Sequence, residues 1–122
     1  MFDSITAAAS ANDGFVVGVD VDQSFQSDTV VTSALKGIGT AAGWAIGKAY
    51  DGTWDEIGGV ANSLGVEDDA VGLPTDTWSL ENYSVEQYEE AFQQVLDGTL
   101  VVDSDFSKLE STDWAHVTLH II

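Results

Sequence analysis

The chain has no cysteine and no arginine, and only three lysines stand against 21 aspartates and glutamates. Without cysteine there can be no disulfide, no thiolate metal site and no cysteine to carry a lipid anchor in this segment. Without more cations the surface repels phosphate backbones and anionic headgroups, so nucleic acid and membrane-surface binding are excluded as functions. No apolar run approaches the length of a membrane span, and no basic region followed by an apolar one precedes Asp3, so no export signal and no lipobox are read in this chain. A pattern for zinc is missing too. His116 and His120 share a strand face, but no cysteine or third clustered histidine joins them.

What is present is enough for one small domain. The 122 residues are 44% apolar, which fits a globular chain with a core, at a formal net charge of −18. Self-repulsion of that size is screened over about 10 Å at 0.1 M salt and over less at molar salt, so the composition reads as adaptation to high salt.

The apolar run Phe15-Val16-Val17-Gly18-Val19 reads as a buried strand that ends at Asp20 and Asp22. Strand ends of open α/β sheets deliver ligand groups, and two carboxylates at alternate positions of extended chain project to one side. Such a pair can bind a divalent cation, share a proton, or accept hydrogen bonds from vicinal hydroxyls; either one can instead close a turn. Lys36 is the second candidate. A helix is expected from Leu35 to Ala49, and a cation at a helix start is unfavourable, so a lysine kept there in so acidic a chain is expected to contact a ligand.

The remaining pattern places a helix at Phe2–Asn12 and a turn at Asn12-Asp13-Gly14. Strands are expected at Thr29–Ser33, Ile57–Leu64, Ala70–Leu73 and Thr99–Val102. Ser84 and Gln87 form a capping box that opens a helix whose apolar face is Val85, Tyr88, Phe92, Val95 and Leu96. From Trp114 to Ile122 the alternation is that of a strand. The order α-β-β-α-β-β-α-β-β predicts an α/β fold. Ser33 has neither a nucleophile elbow nor a partner histidine, so acyl-transfer chemistry has no support. The acidic clusters Glu67-Asp68-Asp69 and Asp103 to Asp105 lack an EF-hand pattern and read as solvated turns.

An Asp-x-Asp strand end followed by Thr32-Ser33 and a lysine is also the outline of a Mg²⁺-dependent phosphohydrolase acting through Asp20 and Asp22. In that fold the second motif lies at least a helical crossover downstream, whereas Thr32 follows Asp22 almost directly.

Five segments in register, Val17-Gly18-Val19-Asp20-Val21-Asp22-Gln23, Val31-Thr32-Ser33-Ala34-Leu35-Lys36, Asp51-Gly52, Ala70-Val71-Gly72-Leu73 and Leu96-Asp97-Gly98-Thr99-Leu100-Val101-Val102, resemble the basic membrane protein family of substrate-binding lipoproteins. The resemblance implies a type I periplasmic-binding-protein fold, a Rossmann-like open sheet with flanking helices, of which residues 1–102 supply the C-terminal portion. Residues 103–122 have no counterpart in it. It further implies a nucleoside-type ligand, an ABC permease as partner, a location on the outer face of the membrane, and no cofactor or catalysis. Asp20 matches the family's acidic ligand for ribose hydroxyls, and Lys36 matches the lysine of a Thr-Ser-x-x-Lys segment that reaches the ligand. A partial lobe is expected to expose strand edges, so a homo-oligomer or a partner chain is expected to cover them. The alternative to ligand binding is an interaction fragment that pairs with another chain.

Overall fold

The structure is a computed structural model that describes residues 1–102. It is a mixed α/β arrangement: helix α1 (Phe2–Ala11), strand β1 (Val16–Asp20), strand β2 (Val30–Lys36), helix α2 (Ile38–Tyr50), the short strand β3 (Val71–Gly72) and helix α3 (Val85–Leu96). The sheet is three-stranded in the order β1-β2-β3, with β1 and β2 parallel and β2 and β3 antiparallel. This mixed sheet with flanking helices is consistent with a partial periplasmic-binding-protein-like domain.

Local chemistry explains most boundaries. The chain leaves α1 as Asn12 Nδ2 donates to the Ala8 carbonyl and the Gly14 N–H to the Ala9 carbonyl, while Asp13 takes a positive φ of 51°. Helix α3 opens on the expected capping box. The Gln87 N–H donates to Ser84 Oγ at 3.2 Å, and the Ser84 N–H donates to Gln87 Oε1 at 2.9 Å. It closes at Gly98, φ 72°, where the Thr99 and Leu100 N–H groups both return to the Gln94 carbonyl.

Several expectations need correction. Thr99–Val102 is not a strand: two of its N–H groups are consumed by the end of α3, and Val101 and Val102 stand exposed. Ile57–Leu64 is not a strand either. Gly58 and Gly59 fall within it, Gly59 at φ 78°, and the Asn62 carboxamide donates to the carbonyls of Ile57 and Val60, so side-chain turn chemistry takes the acceptors a ladder would need. The strand expected at Ala70–Leu73 shortens to Val71–Gly72, and β2 runs on to Lys36 instead of stopping at Ser33. It does so because Leu35 pairs with Gly72 and Lys36 with Val71, and α2 therefore begins only at Ile38. The strand read at Trp114–Ile122 lies outside the described residues.

The packing is thin. Among the described residues the buried hydrophobic side chains are Val30, Ile57 and Ala70. On the outer strand β1, Val17 and Val19 are 60% and 58% exposed. Parallel strands are found almost only with both faces covered, so the strand expected to be buried is instead one whose Val17 and Val19 face is uncovered by the described residues.

Candidate binding cleft at the end of the parallel strands

The segment from Gly18 to Gln23 is folded by a specific set of contacts. Ser33, fully buried in β2, accepts a hydrogen bond at Oγ from the Gln23 N–H at 3.0 Å, and Gln23 Oε1 accepts from the Val19 N–H at 2.9 Å. Gln23 is thus folded back over the strand it follows. There is room for this only because residue 18 is glycine: a Cβ there would sit 2.4 Å from Ser33 Oγ and 2.8 Å from Gln23 Oε1. Beside Ser33, Thr32 Oγ1 is buried with no hydrogen-bond partner among the described residues.

Asp20 ends the strand in a strained turn. The Val21 N–H donates to the Val19 carbonyl at 2.9 Å, two residues back, and Asp20 between them has φ 71°. Positive φ with this bond is the rarer form of γ-turn, and such conformations cost about 1–3 kcal/mol, which is why they concentrate at functional positions. Aspartate is among the few non-glycine residues that accept positive φ.

The turn overturns one expectation. Extended chain does not continue past Asp20, so Asp20 and Asp22 are not a side-by-side pair. Asp22 closes the next turn instead. Its Oδ1 accepts the Ser24 N–H at 3.0 Å, and its Oδ2 accepts the hydroxyls of Thr77 at 2.7 Å and Ser24 at 3.1 Å. The Ser24 N–H first, then the Thr77 hydroxyl, with the Ser24 hydroxyl adding least, hold the Asp22 carboxyl below its ordinary value of 3.8 against the opposing effect of desolvation.

Lys36 is brought to Asp20, as Nζ lies 3.1 Å from Oδ1. Asp20 is in register with Leu35, so Lys36 is the next residue of the neighbouring strand. The reason expected for its position was wrong. Lys36 is the last residue of β2 and not the first of a helix, so the helix dipole does not bear on it. Gly37 follows, donating its N–H to the Ala70 carbonyl at 2.7 Å, and fixes the β3 connection beside the pair.

Asp20, Asp22 and Lys36 all line one open cleft of about 780 Å³. Its other wall comes from Asp69 to Leu73 and from α3, through Tyr88, Glu89, Phe92 and Gln93. Sequence reasoning assigned Tyr88 and Phe92 to a core face and did not single out Glu89 or Gln93. Only the β2–β3 pairing, which draws Gly72 and then α3 toward Lys36, could have shown them. The described residues include no group of three or more histidine, aspartate or glutamate side chains placed to hold a metal ion.

A family model described as ABC transporter substrate-binding protein PnrA-like, Bmp, matches residues 4–105. The chain belongs to the Bmp family. A search of curated proteins finds no match. The Bmp match covers the described elements except the first two residues of α1, including both strands that carry Asp20 and Lys36. Membership identifies ligand binding in the service of an ABC transporter as the general role, and this family is generally non-enzymatic. No helix among the described residues is long and apolar enough to cross a membrane.

Proposed function

We propose that the chain is the C-terminal portion, residues 1–102, of a nucleoside-type substrate-binding protein, and that Asp20 and Lys36 hold the hydroxyls of the ligand's sugar. The observation that carries this is the 3.1 Å contact between a carboxylate on a strained turn and one of the chain's few ammonium groups, at the mouth of a cleft. A carboxylate accepts two hydrogen bonds from a vicinal diol while an ammonium donates to a hydroxyl or ring oxygen. Charged bonds of this kind contribute about 1.5–3 kcal/mol each when shielded from water. Asp22 is the lesser partner in this reading, because its oxygens are already engaged by Ser24 and Thr77.

In the same reading the protein works on the outer face of the membrane and delivers its ligand to an ABC permease. Its acidity suits a high-salt environment, and a second copy or partner chain covers the exposed β1 residues Val17 and Val19. A Mg²⁺ phosphohydrolase is less well supported: it needs Asp20 and Asp22 to act jointly, and the turn at Asp20 separates them.

The test is a titration of the isotope-labelled chain, followed by NMR, with adenosine, 2′-deoxyadenosine and 2′,3′-dideoxyadenosine. Shifts at Asp20 and Lys36 that weaken as hydroxyls are removed support the reading. Equal binding of all three would contradict it.

A further inference from the structure

Asp20 keeps a backbone conformation that its own side chain does nothing to secure. Its φ is 71°, a value that a non-glycine residue holds only where the surroundings determine it, and its carboxylate is turned away to Lys36 Nζ at 3.1 Å. A pair as exposed as this is too weak to hold a strained backbone in place. The closing bond of the turn, from the Val21 N–H to the Val19 carbonyl, lies inside the turn and fastens it to nothing else.

The outer fastening is Gln23. The Val19 N–H donates to Gln23 Oε1 at 2.9 Å, and the Gln23 N–H donates at 3.0 Å to Oγ of Ser33, which is fully buried in β2 and in register with Gly18. We infer that Gln23 is the positioning residue of this site: it clasps Val19, fixes the turn at Asp20, and so sets where the carboxylate stands relative to Lys36. The inference rests on the reading that Asp20 and Lys36 hold the ligand.

The placement of Gln23 is that of a group acting through another. It is half-buried and is not among the residues that line the cleft. With both backbone polar groups of Val19 engaged, residues 19–23 form a loop closed at one end on β1 and anchored at the other on β2. On the far side Asp22 Oδ2 accepts the Thr77 hydroxyl at 2.7 Å, so the residues that follow Asp20 are held as well. Strand β2 thus carries both Lys36 and Ser33, the anchor of the loop that presents Asp20. The separation of carboxylate and ammonium is set through that one strand, and precise placement of this kind is what lets two groups act on one ligand.

The experiment combines NMR and calorimetry on the isotope-labelled 122-residue chain at 2 M KCl, with adenosine as the probe. A residue at positive φ gives an unusually strong cross-peak between its own N–H and Hα, so the turn at Asp20 is read without ligand. Gln23→Met keeps the length of the side chain and removes the acceptor; it should lose that cross-peak and bind adenosine several-fold more weakly. Gln23→Glu keeps an oxygen within reach of the Val19 N–H and should retain both. Val21→Pro attacks the same turn from its other side, deleting the closing N–H and driving Asp20 to negative φ. Because both changes act through one turn, Gln23→Met and Val21→Pro together should cost no more than the costlier of the two alone. A Gln23→Met chain that keeps the cross-peak, or that loses it and binds as the parent does, overturns the inference. Losses that add in the double variant overturn it too, as does a Gln23→Glu chain that behaves like Gln23→Met. Adenosine binding that is absent in the parent or indifferent to Asp20→Asn overturns the assignment of Asp20 and Lys36, and the inference with it.

Discussion

Lys36 Nζ stands 3.1 Å from Asp20 Oδ1 at the open end of the parallel strands, with the two side chains 66% and 46% exposed. An ion pair that exposed contributes about 0–1 kcal/mol to stability, so the fold does not depend on it. Ligand hydroxyls can therefore replace or join the pair at little cost to the protein. The turn that presents Asp20 is strained whether or not a ligand is bound, which places the cost in the folding of the chain and not in binding.

Gly18 is the position least tolerant of change in this region. Gly18→Ala forces a Cβ to 2.4 Å from Ser33 Oγ, in a place where the partner is buried and cannot withdraw, and should destabilise the chain by about 1–3 kcal/mol. Gly39→Ala in α2 meets nothing within 4 Å and should stabilise it by about 0.5–1 kcal/mol. Urea midpoints of the two variants against the parent should move in opposite directions.

The Asp22 turn gives a pH dependence of defined sign. Its carboxyl is held below the ordinary 3.8 by the Ser24 N–H and the Thr77 and Ser24 hydroxyls, so the folded state favours the ionised form. The stability this adds is fully present above 3.8 and is lost as pH falls through the lowered value. Protonating the many other carboxylates relieves repulsion and acts in the opposite direction, so the difference between the parent and Asp22→Ala is the quantity to measure. That difference should be constant near neutral pH and shrink toward pH values below 3.8. A difference that grows on acidification would contradict the assignment.

The element order around the site was legible, and for clear reasons. The apolar run into Asp20 marked a strand, although not the burial expected of it, since Phe15, Val17 and Val19 stand exposed, and Ser84 with Gln87 marks a helix start through its own hydrogen bonds. Asp20 was legible as the end of that strand, whereas Lys36 was singled out as a cation at an expected helix start and in fact ends β2. The geometry joining them was not. Nothing local in the sequence announces that β2 extends past Ser33, because the cause is pairing with Val71 and Gly72, far along the chain. Nor does it show that Asp22 is taken by Thr77, a contact across 55 positions. The false strands at Ile57–Leu64 and Thr99–Val102 were apolar runs that find no pairing neighbour among the described residues, and apolar content alone cannot supply one.

Salt should stabilise the chain. With a net charge of −18, repulsion among carboxylates falls as the screening length drops from about 10 Å at 0.1 M to about 3 Å at 1 M. Thermal midpoints recorded between 0.1 M and 2 M KCl should rise throughout, and a flat or falling midpoint would contradict adaptation to salt.

The exposed β1 residues Val17 and Val19 predict association. Sedimentation equilibrium at micromolar concentration in 2 M KCl should give a dimer or larger species, and Val19→Lys should shift it toward monomer. A folded monomer under those conditions would mean that this face needs no cover.

The central claim is that Asp20 and Lys36 together hold the ligand, and calorimetric titration of adenosine into the parent chain, Asp20→Asn and Lys36→Met measures it most directly. Each substitution removes one charged hydrogen-bonding group, so each should weaken binding by about 1.5–3 kcal/mol, with Asp22→Asn costing clearly less. Unchanged affinity in both the Asp20 and the Lys36 variants would contradict the claim.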